Sequence, residues 1–270
     1  MISVVVVYNN EQIFNENLLS SLKKQTAEFE FIPMDNTKKK FKSAAEALNQ
    51  GGAKAKGKYI MFVHQDVDLR SSTWLEDTEK ILDSLPKLGI AGVAGVTETG
   101  KGNEKCRNRI EHLEDHSFWG NIIEETERVQ TLDECMGIVP RSLFSELQFD
   151  EKTCDDWHLY MVDYCLSCRK LGLYTYALPM FIYHRSHKKR PREILKSGGS
   201  LTASYWRTLG KLTKKHKGYY KWIYTSCGEW NTFQPVIIQK IQHLSKSGLK
   251  ILLGKLRQGW QKWTIQKSPS

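Results

Sequence analysis

The sequence predicts an α/β fold with a doubly wound, Rossmann-like, mostly parallel sheet and a basic, helical C-terminal extension. Short apolar runs alternate with segments of helical periodicity through the first hundred residues of the 270-residue chain. This alternation is typical of parallel sheets whose two faces are covered by helices. No apolar run approaches the roughly 20 residues that are needed to span a bilayer.

Four strands and three helices are predicted in the first part of the chain. Residues 2–8 (ISVVVVY) are apolar and mostly β-branched, which is expected of a strand buried on both faces. Ser43 and Glu46 have the spacing of a capping box at a helix start. The strands cover residues 2–8, 29–35 and 59–69, the helices cover 13–24, 43–56 and 72–85, and a glycine-interrupted fourth strand follows in 89–96.

The second half of the chain is less regular. The segment DDWHLYMVDYCLSCRKLGL predicts a helix with Asp155 or Asp156 as its N-cap and an end at Gly172. The other predicted elements are a loop-rich segment over residues 100–116, a strand over 129–139 that leads to a helix at Pro140, and one or two strands ending at His184.

Polar residues follow each of the first three predicted strands. Ligands of parallel α/β sheets bind at the carboxyl ends of the strands, so we expect one shared pocket there. The chain has no glycine-rich dinucleotide fingerprint after the first strand and no P-loop motif, which counts against both kinds of nucleotide site. The polar clusters are Tyr8-Asn9-Asn10-Glu11, Asp35-Asn36 and His64-Gln65-Asp66-Val67-Asp68.

Two carboxylates, Asp66 and Asp68, end the third strand and are separated by one residue. Residues i and i+2 of an extended backbone point the same way, so these side chains should face one point. Converging carboxylates repel each other unless a cation lies between them, and Mg²⁺ or Mn²⁺ prefers such oxygen ligands. The alternative is a solvated acidic turn in which Asp68 caps the next helix.

The net charge of +10 is unevenly distributed. Residues 185–270 contain 19 Lys and Arg but two acidic residues, so this tail is expected to contact an anionic surface. Its apolar residues recur mostly three or four apart between basic residues, which favours an amphipathic helix on a membrane surface. Packing of this stripe on the α/β domain is the alternative. The apolar positions are Ile237, Ile241, Leu244, Leu252, Leu256, Trp260 and Trp263.

The six cysteines and the N-terminal segment indicate the compartment. The segment MISVVVVY is too short for a signal peptide and lacks a basic flank, so it is interpreted as a strand. Cysteines in a chain without an export signal are expected to be free thiols. We therefore expect a cytoplasmic protein, at the inner face of the membrane if the tail binds lipid.

The sequence resembles the family-2 glycosyltransferases of the GT-A fold over residues 2–186, whereas the tail shows no resemblance. In chain order, the resemblance depends on ISVVVVYNN, PMDN, the block AAEALNQGGAKAKGKYIMFVHQDVDL, LDE, DYCLSCRKLGL and the final YH pair. It implies a GT-A-like domain over residues 1–205, followed by the basic extension over 206–270.

The resemblance also implies roles for individual residues. In this family the first two strand ends hold the nucleobase and ribose of a nucleotide-sugar donor. The D-x-D motif binds Mn²⁺ or Mg²⁺ at the donor diphosphate, and a late histidine completes the metal site. The implied donor-binding residues are Tyr8, Asn9, Glu11, Asp35, Asn36 and Asp66, the metal ligands are Asp66, Asp68 and His184, and the acceptor or sugar contacts are Asp133, Glu134 and Trp157.

Inverting members of the family need a carboxylate that takes the proton of the acceptor hydroxyl. This chain has Met161 at the position where the family usually has that carboxylate. Asp163 is the first candidate for the base, and Asp156, seven residues earlier on the same predicted helix face, is the second. A satisfied helix-start carboxylate is the alternative for Asp163, and a core or capping histidine is the alternative for His184.

The predicted function is metal-dependent transfer of a sugar, with inversion, from a nucleotide-sugar to a glycan or lipid-linked acceptor in glycan or polysaccharide assembly. Met161 also allows a non-catalytic glycosyltransferase-like binding protein. The aromatic residues among the lysines of the tail suggest nucleic-acid binding as a further alternative. Because the tail contains no recognised module, nucleic acid is not an expected partner.

Overall fold

The computed structural model of the chain describes residues 1–112, 120–185 and 201–245. In chain order the strands are β1 (Ile2–Tyr8), β2 (Phe29–Asp35), β3 (Tyr59–His64), β4 (Val67–Asp68), β5 (Leu88–Gly92), β6 (Ala94–Val96), β7 (Cys106–Asn108), β8 (Ile110–His112), β9 (Asn121–Ile122), β10 (Glu127–Val129), β11 (Thr131–Leu132), β12 (Met136–Pro140), β13 (Tyr174–Ala177), β14 (Ile182–His184), β15 (Trp222–Thr225) and β16 (Gly228–Asn231).

The α-helices are α1 (Glu11–Phe14), α2 (Ser20–Leu22), α3 (Ala44–Gly52), α4 (Trp74–Ser84), α5 (Arg141–Glu146), α6 (Tyr160–Lys170) and α7 (Ala203–His216). A π-helical segment, Asn15–Leu19, joins α1 to α2, and a 3₁₀ helix covers Gly102–Lys105. Residues 236–245 are also helical.

Within the described residues, a central sheet has seven strands in the order β10-β13-β5-β12-β3-β1-β2. Strand β1 pairs in parallel with β2 and β3, and β13 pairs in parallel with β5. Strand β12 is antiparallel to both β3 and β5, and β10 is antiparallel to β13. Five strands therefore share one direction, which confirms the predicted mostly parallel α/β sheet.

Helices cover both faces of this sheet. Val5 of β1 belongs to one buried cluster with residues of α3, α5 and α6, whereas Val4 and Val6 belong to another with residues of α1 and α4. All three valines are completely buried. A strand buried on both faces is apolar at successive positions, which explains why residues 2–8 do not alternate with polar residues.

Three predicted strands are each divided between two sheets. The strand predicted over residues 129–139 contains β11, in the four-stranded sheet, and most of β12, in the central sheet. The third strand ends at His64, residues 65 and 66 form a turn, and β4 then joins a three-stranded sheet with β14 and β8. The glycine-interrupted strand divides into β5, in the central sheet, and β6, in a four-stranded sheet. The predicted loop-rich segment contains β7 and β8, and its residues 113–116 lie outside the described residues.

Helix α6 begins at Tyr160, four residues after the predicted N-cap at Asp156. Its N-cap is Leu159, which has a left-handed backbone with φ of 64°. This conformation is uncommon for a leucine, and Leu159 is 2% exposed, so surrounding packing holds it there. Asp156 therefore precedes the helix, and the predicted helical spacing between Asp156 and Asp163 is wrong.

Helix α7 packs on α6 through a third buried cluster. The cluster joins Leu166 of α6 to Leu209 of α7 and Trp230 of β16. The predicted boundary between residues 205 and 206 falls inside α7. Among the described residues, no helix has both the length and the apolarity to cross a bilayer. The later apolar positions of the predicted tail helix, Leu252, Leu256, Trp260 and Trp263, lie outside the described residues.

Candidate active site

A cavity of about 190 Å³ lies at the carboxyl ends of β1 and β3. Four of the predicted site residues line it, namely Asn9, Asp66, Glu134 and Trp157. Ligand pockets usually measure about 300–1,000 Å³, so a whole nucleotide-sugar would extend from this cavity onto the adjoining surface. The cavity therefore joins the polar clusters after β1 and β3, whereas Asp35 and Asn36, after β2, are absent from its lining.

Three side chains able to ligate a metal converge beside this cavity: His64, Asp66 and His184. Their ligand atoms lie within 4.8 Å of one another, and they form the only such group found among the described residues. The distance between His184 Nε2 and Asp66 Oδ1 is 3.2 Å. Strand β14 brings His184 to this place by pairing it with Val67 of β4.

The local environment favours metal-binding forms of two of these side chains. Burial, reinforced by the charge of His184, lowers the pKa of His64, so its imidazole is neutral near neutral pH. Burial alone would raise the pKa of Asp66, but the hydrogen bond and charge of His184 hold it below its usual value. A neutral imidazole and an ionised carboxylate are the forms that coordinate metals.

The pKa of His184 moves in the opposite direction from that of His64. Burial lowers it, but the hydrogen bond to Asp66 and the negative charge of that carboxylate raise it overall. His184 and Asp66 therefore neutralise each other in part. A divalent cation bound to Asp66 would supply the positive charge that a protonated His184 otherwise provides.

Tyr160 sets the orientation of His64. The Tyr160 hydroxyl donates to the backbone carbonyl of Glu134 at 3.1 Å, and its oxygen lies 3.1 Å from His64 Nε2. Because the single hydroxyl proton goes to the carbonyl, Nε2 of His64 is the donor to Tyr160, and Nδ1 keeps the lone pair. From the sequence, His64 was predicted only as part of a polar cluster, although it ends the strand two residues before Asp66.

Asp68 is not part of the three-residue cluster. Its Oδ1 accepts the backbone N–H of Arg70 at 2.7 Å. Residues 65 and 66 form a turn between β3 and β4, so Asp66 and Asp68 do not lie on one continuous strand as predicted. The metal-binding role of Asp68 stays a prediction. His64, on the other side of that turn, occupies the place in the cluster that was predicted for Asp68.

Glu134 contributes a buried carboxyl to the cavity lining. Its Oε1 atom is inaccessible to solvent and has no hydrogen-bond partner among the described residues. Burial, followed by the charge of Asp133, raises the pKa of Glu134 to about 8, although the N–H groups of Leu159 and Tyr160 act against this rise. A carboxyl whose pKa is near neutrality can exchange a proton with a substrate.

The other two predicted acceptor or sugar residues differ in exposure. Asp133 Oδ1 accepts the backbone N–H of Cys135 at 3.1 Å, and Asp133 itself is absent from the cavity lining. Trp157 lines the cavity and is 38% exposed. An indole that is open to solvent at a pocket rim offers a flat apolar surface to a ligand.

Asn9 is positioned by Gln65, and this pair joins the ends of β1 and β3. Gln65 Oε1 accepts the backbone N–H groups of Asn9 and Asn10 at 2.9 and 3.0 Å. Gln65 Nε2 donates in turn to Asn9 Oδ1 at 2.8 Å. Gln65 also lines the cavity, although no role was predicted for it from the sequence.

Tyr8 and Asp35 are register partners at the ends of β1 and β2. Tyr8 stacks on Phe14, with ring centroids 4.7 Å apart. Asp35 accepts hydrogen bonds from the backbone N–H and the hydroxyl of Thr37, each at 2.8 Å. Asp35 also lines a second groove of about 250 Å³. The other residues of this groove are Pro33, Met34, Lys38, Lys40, Phe41 and Lys54.

The remaining two predicted donor residues have different local roles. Glu11 is exposed in the first turn of α1, next to the end of β1. Asn36 is buried, and its Oδ1 accepts the backbone N–H of Phe41 at 2.9 Å. Asn36 therefore supports the loop after β2, whereas Glu11 is accessible to a ligand.

Asp163 lies in an ion network outside the cavity lining. It is 2% exposed, with Oδ2 2.7 Å from Lys215 Nζ and Oδ1 2.8 Å from His216 Nε2. Lys215 also pairs with Asp150 at 2.8 Å. Because both oxygens of Asp163 are engaged in the interior, the geometry does not support its predicted role as the general base.

Asp156, the second predicted base, is more accessible. Its side chain is 25% exposed and pairs with Arg207 at 2.9 Å. Its Oδ1 also accepts the backbone N–H of Trp157 at 2.7 Å. The carboxylate is next to the cavity rim, but it already has a cationic partner.

The sequence matches the profile of a family described as "Glycosyltransferase like family" over residues 3–184. This match covers more than half of the chain, so the chain belongs to that family. A curated relative from Fuscovulum blasticum, "ATP synthase subunits region ORF 6", is 29% identical over 138 residues, or 48% of this chain. The aligned part is 53% of that relative, so the chain spans about half of its length.

Several solved glycosyltransferase structures have a similar fold. The mannosyltransferase PcManGT from Pyrobaculum calidifontis, in complex with GDP-Man and Mn²⁺, has a TM-score of 0.55 at 11% identity, covering 98% of this chain and 81% of that one. GalNAc-T7 with UDP, GalNAc and Mn²⁺ has a TM-score of 0.53 at 12% identity, covering 78% of this chain but 48% of that one. These likenesses show that the fold is the GT-A fold.

Proposed function

We propose that this chain transfers a sugar from a nucleotide-sugar donor to an acceptor hydroxyl with a divalent cation held by His64, Asp66 and His184. The convergence of these three side chains beside the cavity, in a chain of the glycosyltransferase-like family, carries the proposal. Neighbours of the same fold were solved with UDP, GDP-Man and Mn²⁺, which supports this class of donor and ion.

The ligand set favours Mn²⁺ over Mg²⁺. Mg²⁺ is usually bound by carboxylates, phosphates and water, whereas imidazole nitrogen suits transition metals. Two imidazoles and one carboxylate therefore fit Mn²⁺ better than they fit Mg²⁺. When bound, the cation would stabilise the negative charge of the nucleoside-diphosphate leaving group.

Glu134 is the candidate general base that the geometry supports best. In the proposed reaction the acceptor oxygen bonds to the anomeric carbon while the bond from that carbon to the diphosphate oxygen breaks. The acceptor proton moves to the ionised form of Glu134, whose share grows as the pH rises toward the pKa of about 8, and the diphosphate leaves with the electron pair. A single carboxylate base that faces the sugar is consistent with transfer by inversion. Asp156 is the second candidate, weakened by its ion pair with Arg207.

The nucleotide is proposed to lie along the ends of β1 and β2. Asn9 and Glu11 lie beside the end of β1, while Tyr8 and Asp35 adjoin the second groove. An accessible carboxylate such as Asp35 can accept hydrogen bonds from the two ribose hydroxyls. Asp68 is proposed to support the site indirectly, by holding the backbone of Arg70.

The acceptor is proposed to be a glycan or a lipid-linked sugar, as required in glycan or polysaccharide assembly. Trp157 lies at the cavity rim with 38% of its surface exposed. An aromatic ring in this position can stack on the apolar face of a sugar. Asp133, next to Glu134, is positioned to influence the charge of the base.

The proposal can be tested by measuring the release of nucleoside diphosphate from UDP-GlcNAc and GDP-Man, with Mn²⁺ and with a chelator. We expect turnover of at least one donor with Mn²⁺ and its loss in Asp66→Asn. Asp83→Asn is the matched control, since Asp83 is an exposed carboxylate outside the cluster that pairs with Lys58. Metal-independent turnover would contradict the assigned metal site, and donor binding without turnover would favour a non-catalytic binding protein.

A further inference from the structure

The helix formed by residues 236–245 is anchored through its more polar side. Gln239 is buried, and its Oε1 accepts the backbone N–H of Asn231 at 2.8 Å. Its Nε2 donates to the carbonyls of Asn231 and Gln234, each at 2.9 Å. The His243 ring lies 5.7 Å from the rings of Trp206 and Trp230. These contacts determine which side of the helix faces outward.

The outward side of this helix is apolar. Ile237, Ile241 and Leu244 are 63%, 60% and 37% exposed, and their spacing of four and three residues places them on one stripe. Phe233, just before the helix, is 60% exposed. A surface helix normally buries its apolar stripe against the core, so this reversed orientation indicates a surface that binds another apolar partner.

Lysines flank these apolar side chains. Lys217 Nζ lies 5.1 Å from the centroid of the Phe233 ring. Lys214 is three residues earlier on α7, so it lies on the same side of that helix. Both lysines are exposed and have no salt bridge among the described residues. We call the set of Phe233, Ile237, Ile241, Leu244, Lys214 and Lys217 the C-terminal face.

The charge around the C-terminal face excludes some partners. Residues 201–245 contain seven Lys and Arg but one acidic residue, Glu229, and residues 246–270 add six basic residues and no acidic one. Two copies that met through this face would therefore bring like charges together. Nucleic acid would satisfy the lysines but not the aliphatic stripe, because its outer surface is phosphate.

We propose that the C-terminal face binds the surface of an anionic lipid bilayer. Its apolar side chains would enter the boundary between head groups and acyl chains, while Lys214 and Lys217 contact the anionic head groups. Helix α7 also carries Arg207, which pairs with Asp156 beside the cavity. Binding would thus fix the orientation of the cavity relative to the bilayer. The inference does not depend on the sugar-transfer proposal.

The test is co-sedimentation of the full chain with vesicles of phosphatidylcholine, with or without phosphatidylglycerol. The wild type should sediment with the anionic vesicles, and less so at high salt. Combined Ile237→Glu and Ile241→Glu should weaken this binding by at least about tenfold, because both side chains lose their apolar burial. Leu171→Glu is the matched control, since Leu171 is 62% exposed but outside the C-terminal face.

A second variant tests the charge. Lys214→Ser with Lys217→Ser should weaken binding by about fivefold per lysine at low salt. The proposal is overturned if the wild type does not sediment, or if it binds neutral vesicles equally well. It is also overturned if the isoleucine variant binds like the wild type. Sedimentation velocity tests a further outcome. If the wild type is a dimer and the isoleucine variant is a monomer, a second copy of the chain occupies the C-terminal face.

Discussion

Two groups of ionisable side chains lie close to the start of helix α6, and they differ in how their charges are balanced. The cavity group has no Lys or Arg in a salt bridge among the described residues, whereas the interior group includes a lysine that bridges two carboxylates. The cavity group consists of His64, Asp66, Glu134 and His184, and the interior group consists of Asp150, Asp163, Lys215 and His216.

This difference separates groups that can bind a ligand from groups that hold the fold together. The interior network ties α6 to α7, because both oxygens of Asp163 are paired, one with Lys215 and one with His216. The Nδ1 atom of His216 has no partner among the described residues. Removing one member leaves an uncompensated buried charge, so the network contributes to stability rather than to chemistry. In the cavity group, the Oε1 atom of Glu134 has no hydrogen-bond partner in the part of the chain that the structure describes. Such a group costs free energy unless a ligand or proton satisfies it.

The largest expected effect belongs to the cavity group. Glu134→Gln should lower the rate of sugar transfer by about 10²–10⁴, or roughly 3–5 kcal/mol of barrier, because the amide cannot take the acceptor proton. Donor binding, measured by calorimetry, should change little. Asp156→Asn is the control and should keep most of the activity. The opposite result, with Asp156→Asn inactive and Glu134→Gln active, would move the base to Asp156.

The next effect belongs to the interior group. Asp163→Asn should lower the free energy of unfolding by about 3 kcal/mol, since it breaks a buried ion pair. Urea denaturation measures this loss from the midpoint and slope. Asp156→Asn, which removes a more exposed pair, should cost less than about 1 kcal/mol. A stable Asp163→Asn protein that has lost transfer activity would restore Asp163 as the base.

Ligand binding should distinguish the cavity group from the interior group through a smaller change in the free energy of unfolding. A nucleoside diphosphate with Mn²⁺, present at a hundred times its dissociation constant, should stabilise the wild type by about 2.7 kcal/mol. His184→Gln should abolish this stabilisation because it removes a cluster member, whereas His216→Gln should lower stability but keep the response. Thermal denaturation with and without Mn²⁺ measures both. Equal responses in the two variants would show that His184 is not a metal ligand.

The smallest effect concerns acid stability. Although burial acts in the opposite direction, the hydrogen bond from Lys215 holds the pKa of Asp150 well below its usual value of 3.8. A depressed folded-state pKa contributes stability at higher pH, and this contribution is lost as the pH falls below about 3.8. Asp150→Asn should therefore cost about 1 kcal/mol at pH 7 and much less at pH 2, by urea denaturation. A cost that is independent of pH would contradict this.

Much of the fold follows from local sequence patterns. The apolar run at residues 2–8 and the run at 29–35 form strands at the predicted positions. The spacing of Ser43 and Glu46 predicted the start of α3, where the Ser43 hydroxyl accepts the Glu46 N–H at 3.1 Å. These features depend on neighbours along the chain, such as hydrogen bonds within one turn and burial on both faces of a strand.

By itself, the sequence predicted the α/β sheet, polar residues at its strand ends, and the two metal-ligand candidates Asp66 and His184, which lie together in the structure. Tertiary structure decided which polar side chains meet there. The group of possible metal ligands, next to the two-residue turn after His64, contains His64 and not Asp68. The packing of α7 on α6 places Asp163 against Lys215 and His216. These contacts join residues that are far apart in the sequence, up to 120 positions for His64 and His184. Local periodicity does not specify the spatial distance between such residues.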